Sequence, residues 1–241
     1  MRVGTRSVLF GAHCWAIHPL FVAAAWTQLY GFPTDPRLWL AFAVHDLGYW
    51  GKPDMDGPAG ETHPELGARI MRFFCDRISD VSFATEGTPV PRGWVATGDV
   101  VIGPSGGRLA EYEVMETEWH DLALYHSRYY AKRDGARPSR LCVADKLAFC
   151  LEPWWLYLPR VILSGEIHEY VRESMARGDA RGGRYESMAL RTREGYRAWH
   201  ADVRAYLLRW VEEHRDGRPD TWTPAPARDA TGAPYDPLET P

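Results

Sequence analysis

The sequence predicts an all-α protein, and three observations support this class. Apolar residues recur at helical spacing along most of the chain, as at Leu66 and Ile70. Glycines such as Gly31 and Gly135 follow these periodic stretches, as is typical of helix ends. The longest interruption is the segment Ser79–Arg108, whose Gly, Pro, Ser and Thr content predicts a long loop or a small hairpin insertion.

Length and composition indicate one globular domain. At 241 residues with 45% hydrophobic side chains, the chain can bury a sizeable core. We predict a single domain over residues 1–217, with a motif-bearing core over 10–150 and C-terminal helices over 160–215. A Pro-rich, disordered tail is predicted over 218–241. The formal charge of −4 argues against stable nucleic-acid binding.

The first elements are predicted to be two apolar helices. Val8–Tyr30 reads as one helix, and the ionisable His13 and His18 within it argue against a signal peptide or membrane span. Leu38–Leu47 is almost wholly apolar, which predicts a buried helix that stops at Gly48. No membrane partner is therefore expected.

The middle and C-terminal parts add further helices. Thr62 and Glu65 hold the two positions of a capping box, which predicts a helix start. Further helices are predicted over Ala110–Arg133, from Ser139 to Leu151, over Val161–Val171 and around Tyr196–Trp210. The four cysteines form no CxxC pair, which excludes a zinc knuckle and predicts a reducing, cytoplasmic location.

The sharpest chemical feature is the dipeptide His45-Asp46, which closes the apolar run over residues 40–44. An unpaired charge would strongly destabilise such a buried helix end, so a neutralising cation would explain it. Asp145 likewise lies in a helix that is predicted to be buried. Each residue alone also fits a hydrogen-bonded core group.

Three histidines strengthen the case for a shared ion. His18 and His63 stand at predicted helix starts, and His126 shares a helix face with Leu122 and Tyr130. Imidazole and carboxylate donors in this mixture suit Fe, Mn, Co, Ni or Zn, with Mg as an alternative. Together, these side chains predict one or two divalent metal ions.

The order His18, His45-Asp46, Asp145 resembles the H…HD…D signature of the HD-domain superfamily. The run from His45 through Gly48 to the segment HPELGA at 63–68 resembles the HD…G…HPExGA pattern of subfamilies that bind two metals. His126 matches the histidine that precedes the last aspartate. The resemblance covers about residues 10–150 and is more specific than the dipeptide.

This resemblance implies an HD-domain helical bundle and a ligand set. His45 would bind one metal and Asp46 would bridge two. His18 and Asp145 would complete the first site, with His13 as an alternative to His18. The second site would be held by His63 and His126.

The resemblance also implies an enzyme, a metal-dependent phosphohydrolase of the nucleotidase or phosphodiesterase type that uses metal-activated water. Asp46 and Lys52 are the predicted catalytic residues, and the substrate is a small nucleotide or other phosphoester. The predicted substrate-binding cations are Arg128, Lys132 and Lys146. Tyr49 stands where the family often has lysine, and Lys52 is the predicted substitute.

Two other functions are compatible with the same residues. An HD-type di-iron oxygenase would use the same donors, including His63 and His126. A non-catalytic, nucleotide-binding regulatory module would keep the fold without the reaction, although a complete ligand set argues against it. The pattern HHExxDGxGYP of cyclic-di-GMP phosphodiesterases is missing, so that substrate is disfavoured. A homo-oligomer is compatible with the sequence.

Overall fold

The computed structural model describes residues 1–55, 57–76, 95–97, 100–102, 108–109, 119–176 and 192–223. Helices dominate this part of the chain and confirm the all-α class. The helices are α1 (Val3–Phe10), α2 (His18–Tyr30), α3 (Pro36–Val44), α4 (Pro58–Glu61), α5 (Pro64–Met71), α6 (Trp119–Leu124), α7 (Arg128–Arg133), α8 (Arg140–Leu151), α9 (Trp154–Ser164), α10 (Glu166–Ala176) and α11 (Arg193–His214). A 3₁₀ turn follows α3 at Leu47–Tyr49, and a π-helical turn follows α5 at Arg72–Asp76.

Three short strands accompany the helices. They are β1 (Val95–Thr97), β2 (Val100–Ile102) and β3 (Arg108–Leu109), in the order β1-β2-β3. Both pairs are antiparallel, and Ala96 faces Val101 in the first pair. The strands fall in or beside the Ser79–Arg108 segment, for which a long loop or small hairpin is predicted. The rest of that segment lies outside the described residues.

The predicted single helix Val8–Tyr30 is wrong, because the chain turns between α1 and α2. The Gly11 amide donates to the carbonyls of Arg6 and Ser7 and ends α1. The next amide, of Ala12, donates to the Glu166 carboxylate at 3.1 Å rather than to a helical carbonyl. This turn places His13 between the helices and His18 at the first residue of α2.

The helix predicted over Ala110–Arg133 is also interrupted. In its described part, α6 ends at Leu124 and α7 begins at Arg128, with the Ser127 hydroxyl accepting from the Tyr130 amide at 3.4 Å. His126 therefore lies in the turn between two helices, and not on a continuous helix face. Residues 110–118 lie outside the described residues.

Two further helix predictions need correction. The predicted capping box does not form, because His63 is the N-cap residue of α5 and the Thr62 hydroxyl donates to the Ala59 carbonyl at 2.9 Å. The helix predicted over Val161–Val171 is divided between α9 and α10. Gly165, with φ of 88°, ends α9 in the left-handed conformation that glycine adopts without strain.

Helix α8 lies at the centre of the main hydrophobic core and packs against α2 and α11. Its start follows the prediction, since the Ser139 hydroxyl caps it by accepting from the Cys142 amide at 3.2 Å. Ala144 and Ala148 are buried, which lets neighbouring helices approach closely. Asp145 is carried into this core on the same helix.

The ordered chain extends past residue 217, where the predicted tail begins. Asp220 is buried and accepts from the Arg128 guanidinium at 2.8 Å and from the Trp210 indole at 3.2 Å. Residues 218–223 of the predicted tail thus contact the helices, and residues 224–241 lie outside the described part. All four cysteines are buried, and no disulfide joins any two of them. No described helix has the length and apolar character to cross a bilayer.

Candidate metal centre

Six side chains from distant parts of the chain converge in the core. Their potential donor atoms form two groups, within each of which all atoms lie within 4.8 Å of one another. The first group comprises His18, His45, Asp46 and Asp145, and the second comprises Asp46, His63 and His126. Asp46 belongs to both groups. All six predicted ligands are therefore brought together.

The first group is built around two carboxylates. The His18 Nε2 atom lies 3.0 Å from Asp145 Oδ1 and 3.2 Å from Asp46 Oδ2. The His45 Nε2 atom lies 3.0 Å from Asp46 Oδ2 and 3.9 Å from Asp145 Oδ1. Two imidazole nitrogens thus face two carboxylate oxygens, a donor set that suits a first-row divalent ion.

The second group uses the other oxygen of Asp46. Asp46 Oδ1 lies 3.4 Å from His126 Nε2 and 3.7 Å from His63 Nε2. The two imidazole Nε2 atoms are 3.0 Å apart. Because Oδ2 faces the first group and Oδ1 faces the second, Asp46 has the geometry of a bridging carboxylate.

Backbone carbonyls fix the orientation of three imidazoles. The Nδ1 atoms of His45 and His63 lie 3.0 and 2.8 Å from the carbonyl oxygens of Phe42 and Gly60. His126 Nδ1 makes the same type of contact with Ala123. Each contact places a proton on Nδ1 and turns Nε2 toward the cluster. Metal-binding histidines are usually held in this way.

Two glycines allow the His45-Asp46 segment to approach α5. A Cβ on Gly48 would lie 1.9 Å from the carbonyl oxygen of His63. A Cβ on Gly67 would lie 2.7 Å from the carbonyl oxygen of Val44. Any larger residue at either position would separate Asp46 from His63. The glycines in the motif are thus required for the second group to form.

Charge in the first group favours a cation. Burial disfavours ionisation of Asp46, but the facing histidines outweigh it and hold its pKa well below the ordinary value. Burial likewise opposes a charge on His45, but the two carboxylates outweigh it and raise its pKa to about 10. The carboxylates therefore attract positive charge strongly into a site that excludes water.

The second group places two neutral imidazoles against each other. Burial, with the neighbouring His126, lowers the pKa of His63 well below its ordinary value, and burial also lowers that of His126. With Nδ1 protonated in both rings, the two Nε2 lone pairs face each other at 3.0 Å. In the first group, His45 Nε2 and Asp46 Oδ2 are buried and lie 3.0 Å apart, but they do not meet in hydrogen-bond geometry. A cation in each group would give these buried atoms a partner.

His13 lies beside the first group without belonging to it. Its Nε2 atom is 4.0 Å from Asp46 Oδ2, and its ring packs 4.5 Å from the ring of Tyr49. Of the two histidines considered for the first ligand, His18 is the one whose Nε2 contacts both carboxylates.

The predicted cations fall into two sets, and the first lies near the cluster. The Lys146 ammonium lies 2.7 Å from Asp145 Oδ2. Burial opposes its charge, but Asp145 outweighs this and raises the pKa of Lys146. Lys52 donates to the hydroxyl of Thr62, next to His63. The Lys146 ammonium therefore contacts a predicted ligand, and the Lys52 ammonium contacts the residue before one.

Arg128 and Lys132 are directed elsewhere. The Arg128 guanidinium pairs with Asp220 and lies 4.9 Å over the Trp210 ring. The Lys132 ammonium donates to the Asp220 carbonyl at 3.0 Å. Both charges contact the C-terminal segment, and their predicted contact with a substrate stays a prediction.

Two supporting residues carry no recognisable sequence signal. Tyr49 stacks on His63 with ring centroids 3.9 Å apart, although the sequence suggests only a departure from the family pattern there. Glu166 is fully buried and joined to His13 through Ser7. Because Ser7 and Glu166 are separated by 159 residues, no local pattern predicts the contact.

Searches against protein-family models, curated proteins and solved structures return no match to this chain. The likeness to the HD-domain superfamily therefore depends on the order of six residues and on their convergence in space.

Proposed function

We propose that this chain is an HD-type, metal-dependent phosphohydrolase that acts on a nucleotide or another small phosphoester. The observation that carries the proposal is the position of Asp46, whose two carboxylate oxygens face two separate groups of nitrogen and oxygen donors. That arrangement suits a pair of divalent cations that share one carboxylate.

The chemistry of the bound ions would be the usual one, in which a cation lowers the pKa of a water molecule and polarises a phosphoryl oxygen. The chain itself supplies the rest. The carbonyl-anchored imidazoles of His45, His63 and His126 hold the geometry before any ligand enters. The Lys146 ammonium, next to Asp145, and the Lys52 ammonium would offset charge on the phosphoryl oxygens.

A di-iron oxygenase is the second candidate, and the second group favours it. Two imidazole nitrogens and one carboxylate oxygen surround that position, and nitrogen-rich sets of this kind suit iron as well as zinc or manganese. A phosphohydrolase needs no oxygen, whereas an oxygenase consumes it and requires iron. The two functions therefore differ in a directly measurable reactant.

The test is a panel of nucleotides and phosphoesters assayed with Mn(II), Co(II), Fe(II), Zn(II) and Mg(II). We expect metal-dependent release of phosphate or pyrophosphate, reduced at least about 100-fold in Asp46→Asn. The matched control is Asp121→Asn, because the Asp121 carboxylate pairs with His120 outside the cluster. Oxygen uptake with iron and no phosphate release would reject the hydrolase in favour of the oxygenase.

A further inference from the structure

His13 is the most exposed histidine beside the first group. Its side chain is 20% exposed, whereas those of His18 and His45 are 9% and 1% exposed. The other imidazoles of the centre are directed inward, so His13 is the histidine next to the group that a dissolved molecule reaches first. Its Nε2 atom lies 4.0 Å from Asp46 Oδ2.

The protonation pattern of His13 follows from its hydrogen bonds. The Ser7 hydroxyl donates its single proton to Glu166 Oε2 at 2.9 Å. Ser7 Oγ also lies 2.8 Å from His13 Nδ1, and with its proton already used it can only accept there. His13 Nδ1 therefore carries a hydrogen, and in the neutral ring the Nε2 lone pair faces the first group.

Glu166 is suited to keep the hydrogen bonds of Ser7 and His13 in one direction, in which His13 donates to Ser7 and Ser7 donates to Glu166. Its carboxylate is fully buried and accepts from the Ala12 amide at 3.1 Å, from the Tyr170 hydroxyl at 2.9 Å and from the Ser164 hydroxyl. Burial opposes its ionisation, but the nearby His13, the Ser164 hydroxyl and the Ala12 amide outweigh burial and lower its pKa. An ionised carboxylate offers no proton, so the Ser7 hydroxyl cannot reverse its bond.

The position of His13 suits contact with a ligand more than coordination of the ion. It is not one of the side chains whose donor atoms lie within 4.8 Å of one another. Its ring is supported by Tyr49 on one side and meets the edge of His18 at 5.7 Å. An accepting nitrogen held at the rim of the centre would meet a hydroxyl group of a molecule that binds there.

We propose that His13 is the substrate-facing hydrogen-bond acceptor of this centre, and that Glu166 is a positioning residue that acts on it through Ser7. The ligand class is a phosphate or phosphoester with a protonated oxygen, which donates to His13 Nε2. This inference builds on the proposed function and names the residue that meets the substrate.

The first test reads the His13 ring directly by long-range ¹H–¹⁵N correlation on zinc-loaded protein labelled with ¹⁵N-histidine. The His13 signals are assigned by their loss in His13→Ala. We expect hydrogen on Nδ1 and a bare Nε2 whose ¹⁵N shift changes when inorganic phosphate is added. A wild-type His13 with hydrogen only on Nε2, or an Nε2 unaffected by phosphate, would overturn the proposal.

Ser7→Ala and Ser164→Ala form a matched pair for the second test. Each removes one hydroxyl that donates to Glu166, but only the Ser7 hydroxyl contacts His13. In Ser7→Ala we expect the Nδ1–H form to lose its dominance, whereas in Ser164→Ala the wild-type pattern should persist. Equal behaviour of the two variants would overturn the positioning role of Glu166.

Metal content and turnover of adenosine 5′-monophosphate, a phosphoester whose ribose hydroxyls can donate a hydrogen bond, separate the remaining outcomes. In His13→Ala we expect kcat to fall about 100-fold while bound metal stays within twofold of wild type. In Ser7→Ala the fall in kcat should be about 10-fold, with Ser164→Ala unchanged. Loss of metal in His13→Ala would make His13 a ligand and overturn the proposal. A wild type that binds zinc and phosphate without turnover would reject the phosphohydrolase, while the ring spectra still decide the inference.

Discussion

The Asp46 carboxylate is buried, which opposes its negative charge, and several histidines that can carry a positive charge surround it. Its carboxylate is almost inaccessible to water and has imidazole nitrogens of His18, His45, His63 and His126 within 4.0 Å. Without a cation, protons on the histidines must balance its charge, which is why the pKa of His45 rises to about 10. A divalent ion would replace those protons and leave the nitrogens as donors.

Removal of single carboxylates should therefore change metal stoichiometry in different ways. We expect Asp46→Asn to weaken both sites at least about 100-fold, because Asp46 contributes one oxygen to each. Asp145→Asn should weaken only the first site, since its carboxylate faces only the first group. The number of metal ions per protein chain, measured by mass spectrometry after gel filtration, should fall to near zero in Asp46→Asn and to near one in Asp145→Asn.

His126→Gln provides the complementary control for this prediction. Its imidazole belongs only to the second group, so the variant should also keep one ion. A double variant of Asp145 and His126 should then match Asp46→Asn in metal content. Full occupancy in Asp46→Asn would contradict the bridging geometry.

His200 should make stability depend on pH without involving the metal centre. Its ring packs near Phe149 and Tyr157, and burial together with Arg204 lowers its pKa to about 4. The unfolded chain, with an ordinary pKa of about 6.5, takes up a proton as the pH falls from 6.5 to 4, whereas the folded chain does not. The free energy of unfolding should therefore decrease over this window.

We expect this contribution to be about 2 kcal/mol between pH 7 and pH 5, at about 1.4 kcal/mol per pH unit below 6.5. Urea unfolding of wild type and His200→Phe at both values measures it, since other titrating groups cancel in the difference. His168→Phe, at an exposed position, is the control and should keep the wild-type dependence. An identical pH dependence in His200→Phe would refute this assignment.

At the scale of helices, the sequence predicted those helix ends that are determined by residues close to them in the chain. Ser139 before an apolar run marks the start of α8, and its hydroxyl does cap that helix. The apolar run that ends at His45-Asp46 likewise marks a buried helix end. His45 and His63 lie at such helix ends, whereas Asp145 lies within α8 and His126 lies in a turn, so those two were predictable only from the order of the motif.

The helix interruptions were not predictable from periodicity, because distant partners determine them. The turn after α1 depends on an amide of Ala12 that finds the Glu166 carboxylate 154 residues later. The pairing of Arg128 with Asp220 likewise joins residues that are 92 positions apart, so no local pattern predicts it. The spacing of apolar residues is the same in one continuous helix and in two helices that meet at a buried turn. Periodicity alone therefore predicts a continuous helix in both cases.

The cap of α8 offers a test at this scale, because α8 carries Asp145. The Ser139 hydroxyl accepts from the Cys142 amide and donates to the Leu122 carbonyl at 2.8 Å, which ties α8 to α6. We expect Ser139→Ala to lower the free energy of unfolding by about 1–2 kcal/mol. Urea denaturation followed by tryptophan fluorescence would measure the change.

Thr192→Ala is the matched control for this cap. The Thr192 hydroxyl accepts from the Gly195 amide at the start of α11, and it is exposed. Its loss should cost about 0.5–1 kcal/mol, less than the loss of Ser139. If both variants cost the same, the bond between Ser139 and Leu122 contributes nothing measurable.

For the molecule as a whole, the candidate metal centre and the C-terminal segment are both linked to α8. Asp145 on α8 belongs to the cluster, while α11 packs against α8 and leads to Asp220. Asp220 accepts from Arg128 on α7 and from Trp210 on α11, so residues 218–223 join the element that follows His126 to the last helix. The short segment after α11 is thereby part of the fold.

Truncation of the chain should reveal how much this segment contributes. A chain that ends at Gly217 leaves the Arg128 guanidinium, 16% exposed, without its carboxylate, and loss of one partner from such a pair costs about 3–5 kcal/mol. We therefore expect its urea midpoint to fall well below that of a chain ending at Thr223, which keeps every bond to Asp220. Asp220→Asn in the longer chain should reproduce much of the loss, because it removes the charge but retains the packing of Trp222. Equal midpoints for the two truncated chains would show that the segment only lies on the surface and that Arg128 is free to serve another partner.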